Sequence, residues 1–230
     1  MPRYQFKVSV IGDISVGKTS LIRRLVHNEF KSVVGSTVGV NFVTYTKEKI
    51  EFKSGMEIKN NIELQIWDTA GEERIRSGLL PQYIKNSHVI IFCCDPTRED
   101  SIKAVSDEWM SWCFKHLRDE PENIKFYIAF TKGDLIKIKE TKEKQEIRQK
   151  LDNTIEIMKE NPIISNIKEY QTSAKSGEGV KEMFDEIAEE LFKTSKDKAI
   201  QKNKEIVELK DSTMNNNIEK YLDDDKSNCC

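Results

Sequence analysis

The chain has 230 residues, 33% of them charged, and its 37 Lys and Arg against 39 Asp and Glu leave a net charge of −2. That length supports one substantial core once a polar tail is set aside. The near-cancelling charge excludes an overall field that would recruit nucleic acid or acidic lipid, so no nucleic-acid partner is expected. The N-terminal Met1-Pro-Arg-Tyr-Gln-Phe-Lys lacks the apolar core of a signal peptide and no apolar run is long enough to span a bilayer, so any membrane contact is expected to be peripheral.

Short apolar runs alternate with amphipathic stretches, the rhythm of an α/β fold whose mostly parallel sheet carries helices on both faces. The first strand is expected at about residues 4–11, and Gly12-Asp-Ile-Ser-Val-Gly-Lys-Thr-Ser follows it and opens a helix at about 18–28. This is the G-x-x-x-x-G-K-[ST] loop between strand and helix that the motif requires. Its glycines let backbone N–H groups wrap phosphates, the helix N-terminus adds partial positive charge, Lys18 reaches the terminal phosphates and Thr19 offers its hydroxyl to Mg²⁺. The loop implies a nucleoside triphosphate without saying which.

The second and third strands, at about 40–52 and 61–67, read as a hairpin joined around Lys53-Ser-Gly-Met-Glu-Ile-Lys-Asn-Asn, an antiparallel pair at the edge of the sheet. Trp67-Asp-Thr-Ala-Gly-Glu-Glu-Arg ends the third strand, where Asp68 can take a Mg²⁺ water and the N–H of Gly71 can meet a terminal phosphate. The fourth strand, about 88–95, contains Cys93 and Cys94 in an apolar run that suits reduced, buried thiols, as does Cys113 on the next helix beside Ile102, Val105 and Trp109. Only Cys229 and Cys230 are unexplained by packing.

Thr131-Lys-Gly-Asp closes the fifth strand, about 124–130, and Thr172-Ser-Ala-Lys closes the sixth, about 168–171. Both therefore lie at carboxyl strand ends, on the sheet edge of the phosphate loop, and can share one ligand with it. Asp134 offers two acceptors matching the N1–H and N2–H₂ donors of guanine, whereas adenine has an acceptor at N1 and no amine beside it, which selects GTP over ATP. Residues 139–160 read as an exposed helix with Ile147, Leu151, Ile155 and Met158 on a narrow apolar stripe, and Val180, Met183, Phe184, Ile187 and Leu191 line the face of a last helix. From about residue 194 the chain is too poor in apolar residues to pack and reads as a linker.

The phosphate loop, Thr37, the Asp68-Thr-Ala-Gly turn, Thr131-Lys-Gly-Asp and Ser173-Ala-Lys resemble, in order, the five guanine-nucleotide motifs of small GTPases of the Ras superfamily, over about residues 4–193. The resemblance implies a P-loop GTPase domain over 1–193 and a variable tail over 194–230. It implies GTP and GDP as ligands, Mg²⁺ as cofactor, and a nucleotide site that takes in Ile14, Ser15, Val16, Gly17, Lys18, Thr19 and Ser20 of the loop. Phe30 would lie against the guanine ring, Thr37 would join Thr19 and Asp68 at Mg²⁺, and Lys132, Ser173, Ala174 and Lys175 would complete the base site beside Asp134, with Thr131 where many members carry Asn.

Within the superfamily, Ser36-Thr-Val-Gly-Val-Asn-Phe, Ile66-Trp-Asp-Thr-Ala-Gly and Cys229-Cys230 are similar to the Rab pattern. That implies a monomeric switch in vesicle traffic on the cytoplasmic face of an intracellular membrane, with a cytosolic pool. It also implies prenyl groups on both cysteines, an exchange factor, an activating protein, a GDP-dissociation inhibitor, and effectors that meet Phe42, Trp67 and Tyr83. Here Gln82-Tyr83 replaces the usual tyrosine pair, and the hairpin near Gly55 and the segment 137–168 are longer than usual. Glu72 stands where the family has its catalytic glutamine, and Ile14 where Rabs usually carry a small residue. Slow GTP hydrolysis is expected from these two departures. They also leave open a second reading, a guanine-nucleotide-binding module with little turnover that acts as a persistent membrane scaffold. A P-loop ATPase or kinase is disfavoured by the base-binding loops and by the lack of a recognisable lid.

Overall fold

The computed structural model describes residues 2–33, 35, 41–69, 80–117, 124–161, 164 and 166–199. The chain divides into two compact units, Met1–Ala188 and Glu189–Cys230. In the first unit six strands form one sheet in the order β2-β3-β1-β4-β5-β6: β1 (Arg3–Gly12), β2 (Asn41–Lys53), β3 (Met56–Asp68), β4 (Val89–Cys94), β5 (Lys125–Phe130) and β6 (Lys168–Gln171). All neighbours pair parallel except β2 with β3, so the expected mostly parallel sheet with one antiparallel edge strand is present.

The helices are α1 (Lys18–His27), α2 (Leu80–Ile84), α3 (Glu99–Ala104), α4 (Ser111–His116), α5 (Gly133–Lys137) and α6 (Thr141–Lys159), with helical residues again over 180–188 as α7. Between α3 and α4, Val105–Met110 winds as a π-helical stretch that the apolar periodicity did not signal. In the second unit residues 189–199 are helical. Among the described residues no helix is long and apolar enough to cross a membrane.

Every residue of β4 is buried, which a strand achieves only when both faces of its sheet are covered. On one face Ile90, Phe92 and Cys94 alternate into a cluster with Phe126, Ile128 and Phe130 of β5, and Ile102, Val105, Trp109 and Cys113 close over it. Leu151, Ile155 and Met158 join the same cluster, so the stripe on α6 is a full contributor to the core. The opposite parity, Ile91, Cys93, Tyr127 and Ala129, is equally buried, as are Leu21 of α1 and Val180, Met183, Phe184 and Ile187 of α7.

The hairpin differs from the expectation. Residues 53–61 were expected as a connection, but β2 and β3 stay paired from Asn41↔Asp68 to Lys53↔Met56 and turn on Ser54 and Gly55 alone. Both turn residues have positive φ, 51° and 79°, the twist that lets a two-residue loop join antiparallel strands. Asn60, inside that polar stretch, is buried and donates through Nδ2 to Glu51 Oε2 at 3.0 Å, which explains how a sequence poor in apolar residues still holds a strand.

Candidate functional site

β1 delivers the phosphate-type loop through Gly12, whose φ of 147° and close approach to β4 exclude any side chain: a Cβ there would sit 2.2 Å from the Cys93 carbonyl oxygen. Gly17, in the left-handed region at φ 101°, turns the chain into α1. Val16 is fully buried beneath the loop, Ile14 is half-buried and Ser15 is exposed with φ 58°. The Lys18 ammonium lies under the loop and donates to Gly12 O and Asp13 O, both at 2.7 Å. Ser20 follows on the first turn of α1, half-buried.

Thr19 Oγ1 donates to Asp68 Oδ2 at 2.7 Å, bringing together the two expected metal-holding residues among those described. A hydroxyl and a carboxylate are hard oxygen donors of the kind Mg²⁺ takes, and with one carboxylate between them they leave most positions to phosphate oxygens and water, as this ion prefers. No cluster of three or more His, Cys, Asp or Glu suited to a metal occurs among the described residues.

The base-side loops meet the phosphate loop directly. Thr131 Oγ1 lies 2.5 Å from Val16 O and 2.9 Å from Cys94 O, two carbonyls sharing its one proton, so the residue in place of Asn still ties the fifth strand to the loop. Asp134 Oδ1 accepts from Ser173 Oγ at 2.7 Å, Asp134 Oδ2 lies 3.9 Å from Lys175 Nζ, and Gly133 N donates to Thr172 O at 3.0 Å. Residues 131–134 and 172–175 thus form one unit at the carboxyl edge of the sheet. Lys132 Nζ pairs with the buried Asp95 Oδ2 at 2.7 Å, while Ala174 is half-buried and Phe30 is 40% exposed.

Three residues that the sequence did not single out hold this arrangement. Arg24 of α1 donates from Nε to Ala174 O at 2.6 Å and from Nη2 to Lys175 O at 3.0 Å, clamping the last loop. Asp95, at the end of β4, anchors Lys132 and accepts the Thr97 amide and hydroxyl on Oδ1 at 2.9 and 2.7 Å. Arg98 donates from Nη1 to Ile14 O at 2.9 Å and pairs with Asp13 at 3.3 Å. A polar residue just beyond a strand end was the one available signal for Asp95; nothing marked Arg98 or Arg24.

Phe42, Trp67 and Tyr83 form a contiguous aromatic patch, with ring centroids 5.5 Å apart for Phe42 and Trp67 and 6.0 Å for Trp67 and Tyr83. Lys7 Nζ stands 4.6 Å over the Trp67 ring, and burial holds its pKa below the ordinary lysine value. Phe42 is 50% exposed, so the patch is open to solvent at that end. Cys93, Cys94 and Cys113 are free and buried, and burial pushes the Cys93 thiol up to about 12, so these are inert thiols. Thr37, Gly71, Glu72, Cys229 and Cys230 lie outside the described residues.

A family model described as the Ras family matches residues 7–193. The chain is 32% identical over 98% of its length to the GTP-binding protein YPT52 of Saccharomyces cerevisiae, covering 99% of that protein. It is 32% identical to the GTP-binding protein ypt5 of Schizosaccharomyces pombe, covering 80% of this chain and 77% of that one. Against the human Ras-related protein Rab-22A the identity is 31%, over 83% of this chain and 85% of the relative.

Proposed function

The chain belongs to the Ras family, as a Rab-type small GTPase, and from that premise we propose a GTP/GDP switch of vesicle traffic built on the edge where the phosphate loop, Thr131-Lys-Gly-Asp and Thr172-Ser-Ala-Lys converge. The observation that carries the proposal is that convergence: Thr131 on Val16 O, Ser173 on Asp134, and Thr19 on Asp68. Loop amides from 14 to 19 and Lys18 hold the phosphates, Asp134 reads guanine with Ser173, Ala174 and Lys175 around it, and Phe30 covers the ring. Thr19 and Asp68, and by the family resemblance Thr37, would hold Mg²⁺, which would supply neutralising charge to the phosphates.

Hydrolysis of GTP transfers the γ-phosphoryl group to water, giving GDP and phosphate. The signal is which nucleotide the site holds, GTP before hydrolysis and GDP after it. An exchange factor, an activating protein, a GDP-dissociation inhibitor and effectors are the partners of this switch, the effectors at the Phe42, Trp67 and Tyr83 patch. The reading as a persistent scaffold without turnover is not favoured, because the family is one of GTPases. Prenyl groups on Cys229 and Cys230 would hold the switch, as a monomer, on the cytoplasmic face of an intracellular membrane.

The test is displacement of a fluorescent GDP from the full chain by GTP, GDP and ATP, in wild type and Asp134→Ala. GTP and GDP should displace the probe where ATP does not. Asp134→Ala leaves two guanine donors unpaired and should weaken GDP by at least about 2 kcal/mol. Displacement by ATP as effective as by GTP would overturn the proposal.

A further inference from the structure

We infer that Arg98 is a positioning residue for phosphate binding: from the loop after β4 it fixes the outer turn of the phosphate loop and offsets the negative charge that Asp13 places there. The inference rests on the reading of residues 12–19 as the phosphate-binding loop.

A peptide unit is planar and trans, so the carbonyl of one residue and the N–H of the next point in opposite directions. Arg98 Nη1 holds the Ile14 carbonyl at 2.9 Å and thereby fixes the Ile14–Ser15 peptide plane. The Ser15 N–H is then directed away from Arg98, toward the side on which the reading places the phosphates. Ser15 is in the left-handed region, φ 58°, a conformation that lets successive amides converge on an anion and that a residue with a side chain keeps only when neighbours enforce it. Thr131 does the equivalent for the next carbonyl but one, at Val16 O, so two carbonyls of the loop are held from the segments that follow β4 and β5. A guanidinium also polarises the peptide it grips, since its bond is charge-assisted.

The second effect is electrostatic. Asp13 places a carboxylate in the loop, and its side chain is largely buried, 18% exposed. Beside phosphates that charge is repulsive. Arg98 Nη2 lies 3.3 Å from Asp13 Oδ2 and 2.5 Å from Asp100 Oδ2, so one guanidinium offsets part of the loop carboxylate's charge while Asp100 holds it in place. A lysine would keep the charge without spanning the Ile14 carbonyl and both carboxylates, because it lacks the planar fork.

The experiment measures release of a fluorescent GDP from the full chain in wild type, Arg98→Gln, Arg98→Lys, Asp13→Asn and the Asp13→Asn/Arg98→Gln pair, alongside the ³¹P resonances of bound GDP. Arg98→Gln should release nucleotide roughly 10-fold faster or more. Arg98→Lys should recover part of that loss, and Arg98→Gln should cost less in the Asp13→Asn background. The β-phosphate resonance should move in Arg98→Gln, a change that a general loss of stability would not produce. Wild type that retains GDP with all variants releasing it at the wild-type rate would overturn the role of Arg98. Wild type that binds no guanine nucleotide would overturn instead the reading beneath it. Should Arg98→Gln fail to fold, Arg98→Lys, which keeps the charge but cannot span the Ile14 carbonyl and Asp13 together, should still release nucleotide faster than wild type; an unchanged rate there overturns the role.

Discussion

Thr19 and Asp68 stand 49 residues apart in sequence, yet the hydroxyl of one donates to the carboxylate of the other across 2.7 Å. The contact exists because β1 and β3 run parallel as neighbours, Val10 opposite Asp68, so the start of α1 and the end of β3 meet at the same edge. Removing either oxygen should uncouple nucleotide retention from Mg²⁺. In Thr19→Ala and Asp68→Asn, GDP release measured across a Mg²⁺ titration should lose most of its dependence on the ion. An unchanged Mg²⁺ midpoint in both would show that the pair does not hold the metal.

A second contact ties the hairpin to α7 within the same unit. Tyr45 OH donates to Asp185 Oδ1 at 2.6 Å, and Asp185 also pairs with Lys181 at 2.6 Å and Lys47 at 3.4 Å. Burial first, and then the hydrogen bond and charge of Asp185, raise the Tyr45 pKa from 10.0 to about 12. A folded-state pKa above the unfolded value means that this contribution to stability is fully present below pH 10 and is lost as pH rises toward about 12. Tyr45→Phe should therefore cost about 1 kcal/mol near neutrality, and the gap to wild type should narrow above pH 10. Urea titrations at pH 7.5 and on an alkaline series check both, and a gap that stays constant across the series contradicts the assignment.

That contact was not legible in the sequence, and the reason is general for this chain. Strand positions follow from apolar runs, so β1, β4 and β5 were placed within a residue or two, while β6, Lys168-Glu-Tyr-Gln, was placed beside the Thr172-Ser-Ala-Lys motif that it leads into. The loop from Gly12 to Thr19 follows from residue types whose spacing is itself the mechanism. The lower half of the hairpin does not announce itself, because Lys59, Asn60 and Asn61 carry no apolar alternation; their pairing to β2 and the bond from Asn60 to Glu51 are tertiary facts. Arg98 and Ile14 are 84 residues apart, and Arg24 and Ala174 are 150 apart, so no local pattern could join them. What the sequence carried was the ligand-facing chemistry, and what it concealed was the set of long-range contacts that hold that chemistry in place.

The tail carries a separate prediction. Cys229 and Cys230 stand side by side beside Asp223-Asp-Asp, which would repel anionic lipid, so no basic patch can supplement a single lipid there. One acyl or prenyl chain gives only reversible binding, and two give a stable anchor. Replacing both cysteines with serine should move the protein from the membrane to the soluble fraction of lysed cells, and each single replacement should give partial retention. Undiminished membrane association of the double variant would rule out these cysteines as the anchor.

The rate of hydrolysis should be lower than that of a Rab with glutamine at the position of Glu72. A glutamine amide both accepts and donates hydrogen bonds, so it can hold the attacking water while facing the phosphoryl group. An ionised carboxylate only accepts, and it brings negative charge toward oxygens whose charge catalysis must stabilise. Ile14 adds a steric term, because a branched side chain on the phosphate loop crowds the path of an arginine supplied by a partner, a route worth roughly 10³–10⁵ in rate. Single-turnover hydrolysis by wild type, Glu72→Gln, Ile14→Ser and the double variant, each loaded with GTP and Mg²⁺, separates the two effects. Glu72→Gln should accelerate the intrinsic reaction, and Ile14→Ser should matter chiefly when an activating protein is added. A wild-type rate that Glu72→Gln leaves unchanged or lowers would show that the carboxylate is no impediment.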